Sequence, residues 1–370
     1  MKFSFKQIIL FITVAIVIFL MWYFISIIVY IIIAAVFSFL GRPLFNLLDK
    51  IQIKKIKIPK AISSFISLFV IWFAFFLFFR IITPLITSEI HELSNININS
   101  VLATLDEPIR TIEGLVQKIN NSQDFNLTQF LTTKLTTIAK EIQINNIFQT
   151  VAGTIGDIFI AIFAISFISF FFIKDSTLFQ KMILFALPTK YEDVMKKTLE
   201  SIQKLLVRYF FGILIEVLII MILNTVGHSL LIGLDLSVAI LIGLIAGLLN
   251  IIPYVGPIIG TVVGLLIGLL TNLDLKFYDE LLPMLGYMSL IFISIQIIDN
   301  VILQPIIYGN SVHAHPLEIF LVIMIAGSIA GILGMVLAIP AYTVLRVVAK
   351  AFFNKYPLIE KITKGLDKEK

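Results

Sequence analysis

Residues 241–270 read LIGLIAGLLNIIPYVGPIIGTVVGLLIGLL, without a single charged side chain. A helix crosses a bilayer with about 20 predominantly apolar residues, so the run belongs in a membrane. Its centre is interrupted by Asn250, Pro253, Tyr254, Gly256 and Pro257. Two prolines four apart remove donors and free the carbonyls they would have served. The stretch therefore predicts two half-helices around a non-helical turn, read as one broken crossing. Freed backbone at membrane depth is tolerated where protein buries it or water reaches it, and in transporters such breaks hold substrates and ions. Gly256, Gly260, Gly264 and Gly268 recur every four residues, and Gly243 and Gly247 make a shorter pair. Stripes of this kind let another backbone approach closely.

The rest of the chain fits that environment. It is 59% hydrophobic and 14% charged, with a mean hydropathy of +1.03. Ordinary soluble domains carry about 25% charged residues, so this is an all-α polytopic membrane protein with the lipid bilayer as its surroundings. The net charge of +5 reads as a topology signal. No basic face interleaved with aromatics points to nucleic acid. Absence of cysteine excludes disulfides and thiolate chemistry. The apolar run Ile8–Leu40 is too long for the core of a signal peptide and is read as a retained anchor.

Charge bias orders the segments. Ile8–Leu40 is read as a tight membrane hairpin followed by a basic, cytoplasmic loop from Gly41 to Lys60, and Ala61–Phe79 as a third crossing. Residues 85–146 carry more acids than bases and are placed outside. There Leu102, Leu105, Ile109, Ile112, Val116 and Ile119 step by three and four, and Leu131, Leu135, Ile138 and Ile142 continue the seam. This predicts an extracytoplasmic amphipathic helical hairpin, with Pro108 at a kink or a helix start. Val151–Ile173, Tyr209–Ile232, the broken span, the segment from Leu282 and Leu317–Leu345 complete about eight transmembrane helices, with both termini cytoplasmic. The expected divisions are 1–84, 85–146, a transport core at 147–350 and a basic tail at 351–370. One short loop dissents: Asp274, Asp279 and Glu280 outnumber Lys276 on a side where bases are expected.

A carboxylate at the centre of a membrane helix costs about 2.5–3.5 kcal/mol on insertion scales, which marks Glu216 and Asp299 as pathway candidates. Asp299 stands among Gln296, Asn300, Gln304 and Pro305, and Asp157 lies nearer a membrane surface. His313 and His315 form a His-x-His pair without a third ligand nearby, and loop shaping or helix entry fits them better than metal. No phosphate-binding loop, nucleophile elbow or zinc-protease motif is present, so the chain is read as a non-enzyme without cofactor or metal.

The residues Asn250, Pro253, Tyr254, Gly256 and Pro257, then Asp299 and Asn300 with Pro305 and Gly309, then His315 and Pro316, then Gly327, Gly331, Gly334 and Pro340, occur in an order and spacing that resembles the AI-2E transporters, also called PerM-like permeases. The resemblance implies an eight-helix, homo-oligomeric secondary carrier of the bacterial cytoplasmic membrane, exporting a small polar solute such as autoinducer-2 or exchanging sodium for protons. Asn250 and the freed backbone would bind solute, and Asp299 would couple to the ion. In the sodium/proton alternative Glu216 joins Asp299. A third reading makes the chain a non-transporting assembly protein working through its outer seam.

Overall fold

The computed structural model describes residues 19–20, 23–53, 56–94, 98–120, 129, 133, 144–175, 177–185, 187–308 and 315–354. In chain order the helices are α1 (Ile25–Lys50), α2 (Lys60–Ser94), α3 (Ile98–Thr104), α4 (Asp106–Asn120), α5 (Ile144–Lys174) and α6 (Leu178–Phe185). They continue as α7 (Glu192–Val226), α8 (Leu236–Leu249), α9 (Val255–Leu270), α10 (Leu282–Ile298), α11 (Gln304–Tyr308) and α12 (Pro316–Phe353). A short antiparallel ladder pairs β1 (Gln52–Ile53) with β2 (Ile56–Lys57) after α1. The chain divides into two compact units, 1–75 with 150–207 and 76–149 with 208–370.

In the first unit, small residues let α1 approach α5. Ser169 donates its hydroxyl to the Ala34 carbonyl at 3.2 Å, and a side chain at Gly41 would overlap Ile173. Phe45, Leu68 and Ile173 form a buried cluster. That anchoring of Phe45 carries α1 through Pro43 to Lys50, so the loop expected from Gly41 begins only at Ile51. The expected N-terminal hairpin is not seen in the described part. Helix-type bonds join Phe24 N–H to the Leu20 carbonyl (2.9 Å) and Ile28 N–H to the Phe24 carbonyl (3.1 Å), while residues 1–18 and 21–22, much of that hairpin's first arm, lie outside the description. On α2, Ser64 and Ser67 return their hydroxyls to the carbonyls of Lys60 and Ser63, which satisfies these polar groups within their own helix.

The second unit corrects the reading of 241–270. The arms α8 and α9 have 14 and 16 residues. At 1.5 Å per residue they are about 21 and 24 Å long, short of the ~30 Å of bilayer hydrocarbon. A Cβ on Gly256 would collide with the Leu249 carbonyl, one on Gly260 would lie 3.3 Å from Ala246 Cα, and one on Gly264 3.3 Å from an Ile242 methyl. As one arm ascends in number its partner descends, so α8 and α9 are antiparallel. The segment is a re-entrant hairpin whose two ends lie on the same side of its tip, instead of a single broken crossing. Proline and glycine set where the helix breaks; the glycine stripe lets it close back on itself.

The last helix repeats the device. Within α12, Ala330 and Gly331 leave helical geometry, Gly331 at φ 59° and ψ −143°. A Cβ on Gly334 would strike the Ala326 carbonyl, and one on Gly327 the Met335 side chain. Residues eight apart on a straight helix are about 12 Å apart, so these encounters require reversal. Ile323 and Ala338, fifteen positions apart, share a buried cluster with Ile252. The arms 316–329 and 332–353 thus form a second re-entrant hairpin.

Two of the eight expected crossings are therefore hairpins, and a count of eight is not reached among the described residues. With α8 and α9 folded back, Asp274, Asp279 and Glu280 share a face with the end of α7 and with the acidic segment after α2. The contacts agree: Thr104 donates its hydroxyl to the Leu273 carbonyl at 2.8 Å, and Tyr278 its phenol to Thr111 at 3.5 Å. Pro108 sits in the first turn of α4 and marks a helix start. Along the expected seam Ile109 is buried while Ile112 is 47% exposed, and Leu131, Leu135, Ile138 and Ile142 lie outside the described residues.

Candidate functional site

The tip of the first hairpin is built by what its residues cannot do. Pro253 and Pro257 offer no N–H, so the α8 ladder ends with Ile252 N–H on the Leu249 carbonyl at 3.0 Å. Val255 N–H then bonds the Pro253 carbonyl at 2.8 Å, closing a three-residue γ-turn with Tyr254 at φ 66° and ψ −48°. This positive-φ γ-turn is rare and strained, and a non-glycine residue held there costs about 1–3 kcal/mol. Among the described residues, no backbone hydrogen bond is made by the Asn250 or Ile251 carbonyls or by Tyr254 N–H. The break thus presents free backbone, as its sequence implies.

Packing brings a carboxylate to that tip. Val217 and Met221 of α7 press on Gly247, and Met221 and Thr225 on Gly243, so α8 lies directly against α7. One residue before Val217, Glu216 is 2% exposed and its Oε1 accepts from Asn250 Nδ2 at 3.3 Å. Ile251 and Tyr209 cluster with Ile339 of the second hairpin, and Ile252 with its arms. Glu216, Asn250, Pro253, Tyr254, Gly256 and Pro257 are therefore one locality.

The remaining candidates form a second set where α10 ends. A π-helical turn, Asp299–Leu303, separates α10 from α11, and a residue's neighbour one turn on is then five positions away. Asp299 is fully buried, and its Oδ2 accepts from Gln304 Nε2 at 2.9 Å and from Gln296 Nε2 at 3.5 Å. The same two amides donate to Asn300 Oδ1, at 3.1 and 3.3 Å. Asp299 Oδ1 has no hydrogen-bond partner among the described residues. Two amides orient one carboxylate oxygen and leave the other open to a proton, a cation or a solute donor. Pro305 lies exposed beside the set in α11.

His315 caps α12: its Nδ1 accepts from Leu317 N–H at 3.3 Å, and Glu318 closes a capping box. Its place is at helix entry. His313 and the side chain of Asp157 lie outside the described residues. The sequence reading passed over His228, which is fully buried one turn beyond the buried Asn224. Their spacing of four from Glu216 through Ile220 was the available signal. A cavity of about 460 Å³ between Leu223, Leu231 and Tyr287 is apolar and includes none of these residues.

Residues 10–354 match the family model described as AI-2E family transporter. Putative transport protein YueF of Bacillus subtilis (strain 168) is 28% identical over 341 residues, covering 87% of this chain and 82% of its own length. Putative transport protein YrrI of the same organism is 42% identical over 60 residues, 16% of this chain and 17% of its own length. With a family match over nearly its whole length and a helical, membrane-embedded fold around buried polar sites, the chain belongs to the AI-2E family of transporters.

Proposed function

We propose that this membrane transporter exports a small polar solute of the autoinducer-2 kind, driven by an ion gradient. The observation that carries the reading is the buried Glu216 carboxylate held 3.3 Å from Asn250 at the strained tip of a re-entrant hairpin. Free carbonyls, an amide and a carboxylate at one place suit the hydroxyls of a small polyol or diol, and a buried carboxylate answers to a proton or sodium ion. Asp299 supplies the coupling acid. Charge bias places the acidic 271–280 loop outside and both termini in the cytoplasm of a bacterial cell. The family resemblance adds a homo-oligomer.

The test is uptake of autoinducer-2 into inside-out vesicles under an imposed pH or sodium gradient, scaled to folded protein. Asp299→Asn keeps size and hydrogen bonding while removing the titratable charge, so coupled flux should fall at least about tenfold with folded yield retained. Undiminished flux removes Asp299 from coupling. A second reading, sodium/proton exchange through Glu216 and Asp299, is favoured by the open Oδ1 of buried Asp299. It predicts a sodium-induced pH change in sealed vesicles without any organic solute, and export predicts none.

A further inference from the structure

Glu216, Ile220, Asn224 and His228 follow one another at intervals of four along α7 and the π-helical turn Gly227–Ile232 that extends it, and all four are buried. Residues so spaced form one ridge of a helix, and twelve residues place His228 about 18 Å along the axis from Glu216. Hydrogen bonding fixes both polar side chains. His228 Nδ1 lies 2.8 Å from the Asn224 carbonyl. A carbonyl only accepts, so Nδ1 carries the hydrogen and Nε2 of the neutral ring is a bare acceptor. Asn224 Nδ2 donates to the Ile220 carbonyl at 2.9 Å, which leaves Oδ1 as a second acceptor. Neither His228 Nε2 nor Asn224 Oδ1 has a partner among the described residues.

Bare buried acceptors on adjacent turns are costly until a donor reaches them. One proton changes this: it converts Nε2 into a donor one helical turn from the unpartnered Asn224 Oδ1. The Phe292 ring, 4.6 Å from the imidazole, is within the ~6 Å over which an aromatic face attracts a cation. A π-turn at the same residue widens the helix there, a feature concentrated at functional sites.

We propose that His228 and Asn224 form a proton-binding station. Hydronium from solvent gives its proton to Nε2 and becomes water, the imidazolium later returns the proton to water, and no other bond is made or broken. Neither α8 nor α9 contains a charged or titratable residue, and on α10 Tyr287 is exposed. Glu216 is the next acid along the ridge, while Asp235, Asp274, Asp279 and Glu280 are exposed at helix ends. The protonation stands without the transport reading; its use in coupling rests on that reading.

The experiment is nitrogen NMR of ¹⁵N-histidine-labelled full-length protein in lipid nanodiscs. The chain has four histidines, so His91→Gln, His313→Gln and His315→Asn leave His228 as the one labelled ring, with asparagine keeping a helix cap at 315. The expected result is a neutral ring protonated at Nδ1 at high pH, shifting to the imidazolium pattern as the pH is lowered. Adding Asn224→Ala should move that transition to lower pH. A ring that stays neutral throughout, or a transition that Asn224→Ala leaves in place, overturns the proposal. Solute flux in vesicles is scored separately, so failure of the export reading is distinguishable from failure of this one.

Discussion

The two re-entrant hairpins of the second unit reverse the chain by different means. The first turns through five residues, one of them Pro253, with Asn250 paired to a buried acid and Tyr254 strained. The second turns at Ala330 and Gly331 with no polar partner, flanked by Ile329, Ile332 and Leu333 at 70–80% exposure. One tip holds chemistry and the other is an apolar bend. Their glycines differ accordingly. Gly256 lies against the Leu249 carbonyl and lacks space for a side chain, whereas Gly331 has open space and a backbone conformation that side chains resist. Close approach holds both hairpins, at Gly256 in the first and at Gly334 in the second, and the second adds a bend glycine held by φ.

The largest effect should separate these two causes. Gly256→Leu drives a branched side chain into backbone that cannot yield, which should cost about 4 kcal/mol or more and abolish folded protein. Recovery of monodisperse Gly256→Leu protein after detergent extraction would show that the arms of the first hairpin can separate. Next comes the fold-back itself, tested in a chain that has no native cysteine. Single cysteines replacing Asp235 and Asp274 should react with a membrane-impermeant maleimide from the same side, since both ends of the hairpin lie on one side of its tip. Labelling from opposite sides restores a single crossing. A smaller change is expected at the second bend. Gly331→Ala meets no neighbour and suffers strain alone, about 1–3 kcal/mol, read as a lowered unfolding temperature with folded yield intact.

The same contrast explains what could be read from sequence. Prolines 253 and 257 announce a break, and Glu216, Asn250 and Asp299 announce a cost that needs a reason, so the residues of both polar sets were legible. A break does not state the direction taken after it. Two cues carried that direction: glycines at 256, 260 and 264 facing one partner, and an acidic loop at 274–280 on the wrong side of a single crossing. The second hairpin lies inside an uninterrupted apolar run from Leu317 to Leu345, where a lone Gly331 looks like any membrane glycine. Its Pro340 sits within an arm and marks no turn. His228 escaped notice because its burial depends on Phe292, which is distant in sequence.

The smallest effect bears on whether the polar tip is held under strain for a purpose. Tyr254 occupies φ 66°, which glycine adopts freely. Tyr254→Gly removes about 1–3 kcal/mol of strain and adds about 0.5–1 kcal/mol of unfolded-state entropy, so a net stabilisation of about 1 kcal/mol is expected. The ring is 37% exposed, so the packing lost with its covered part trims that gain. If the γ-turn keeps the Asn250 and Ile251 carbonyls free beside Glu216, a relaxed tip should populate other geometries and lower solute flux while the protein melts at a higher temperature. Stability and flux are then measured on the same preparation of parent and variant. A rise in both makes the strain a structural compromise unconnected with transport, and a fall in stability shows that Tyr254 is not strained in the membrane.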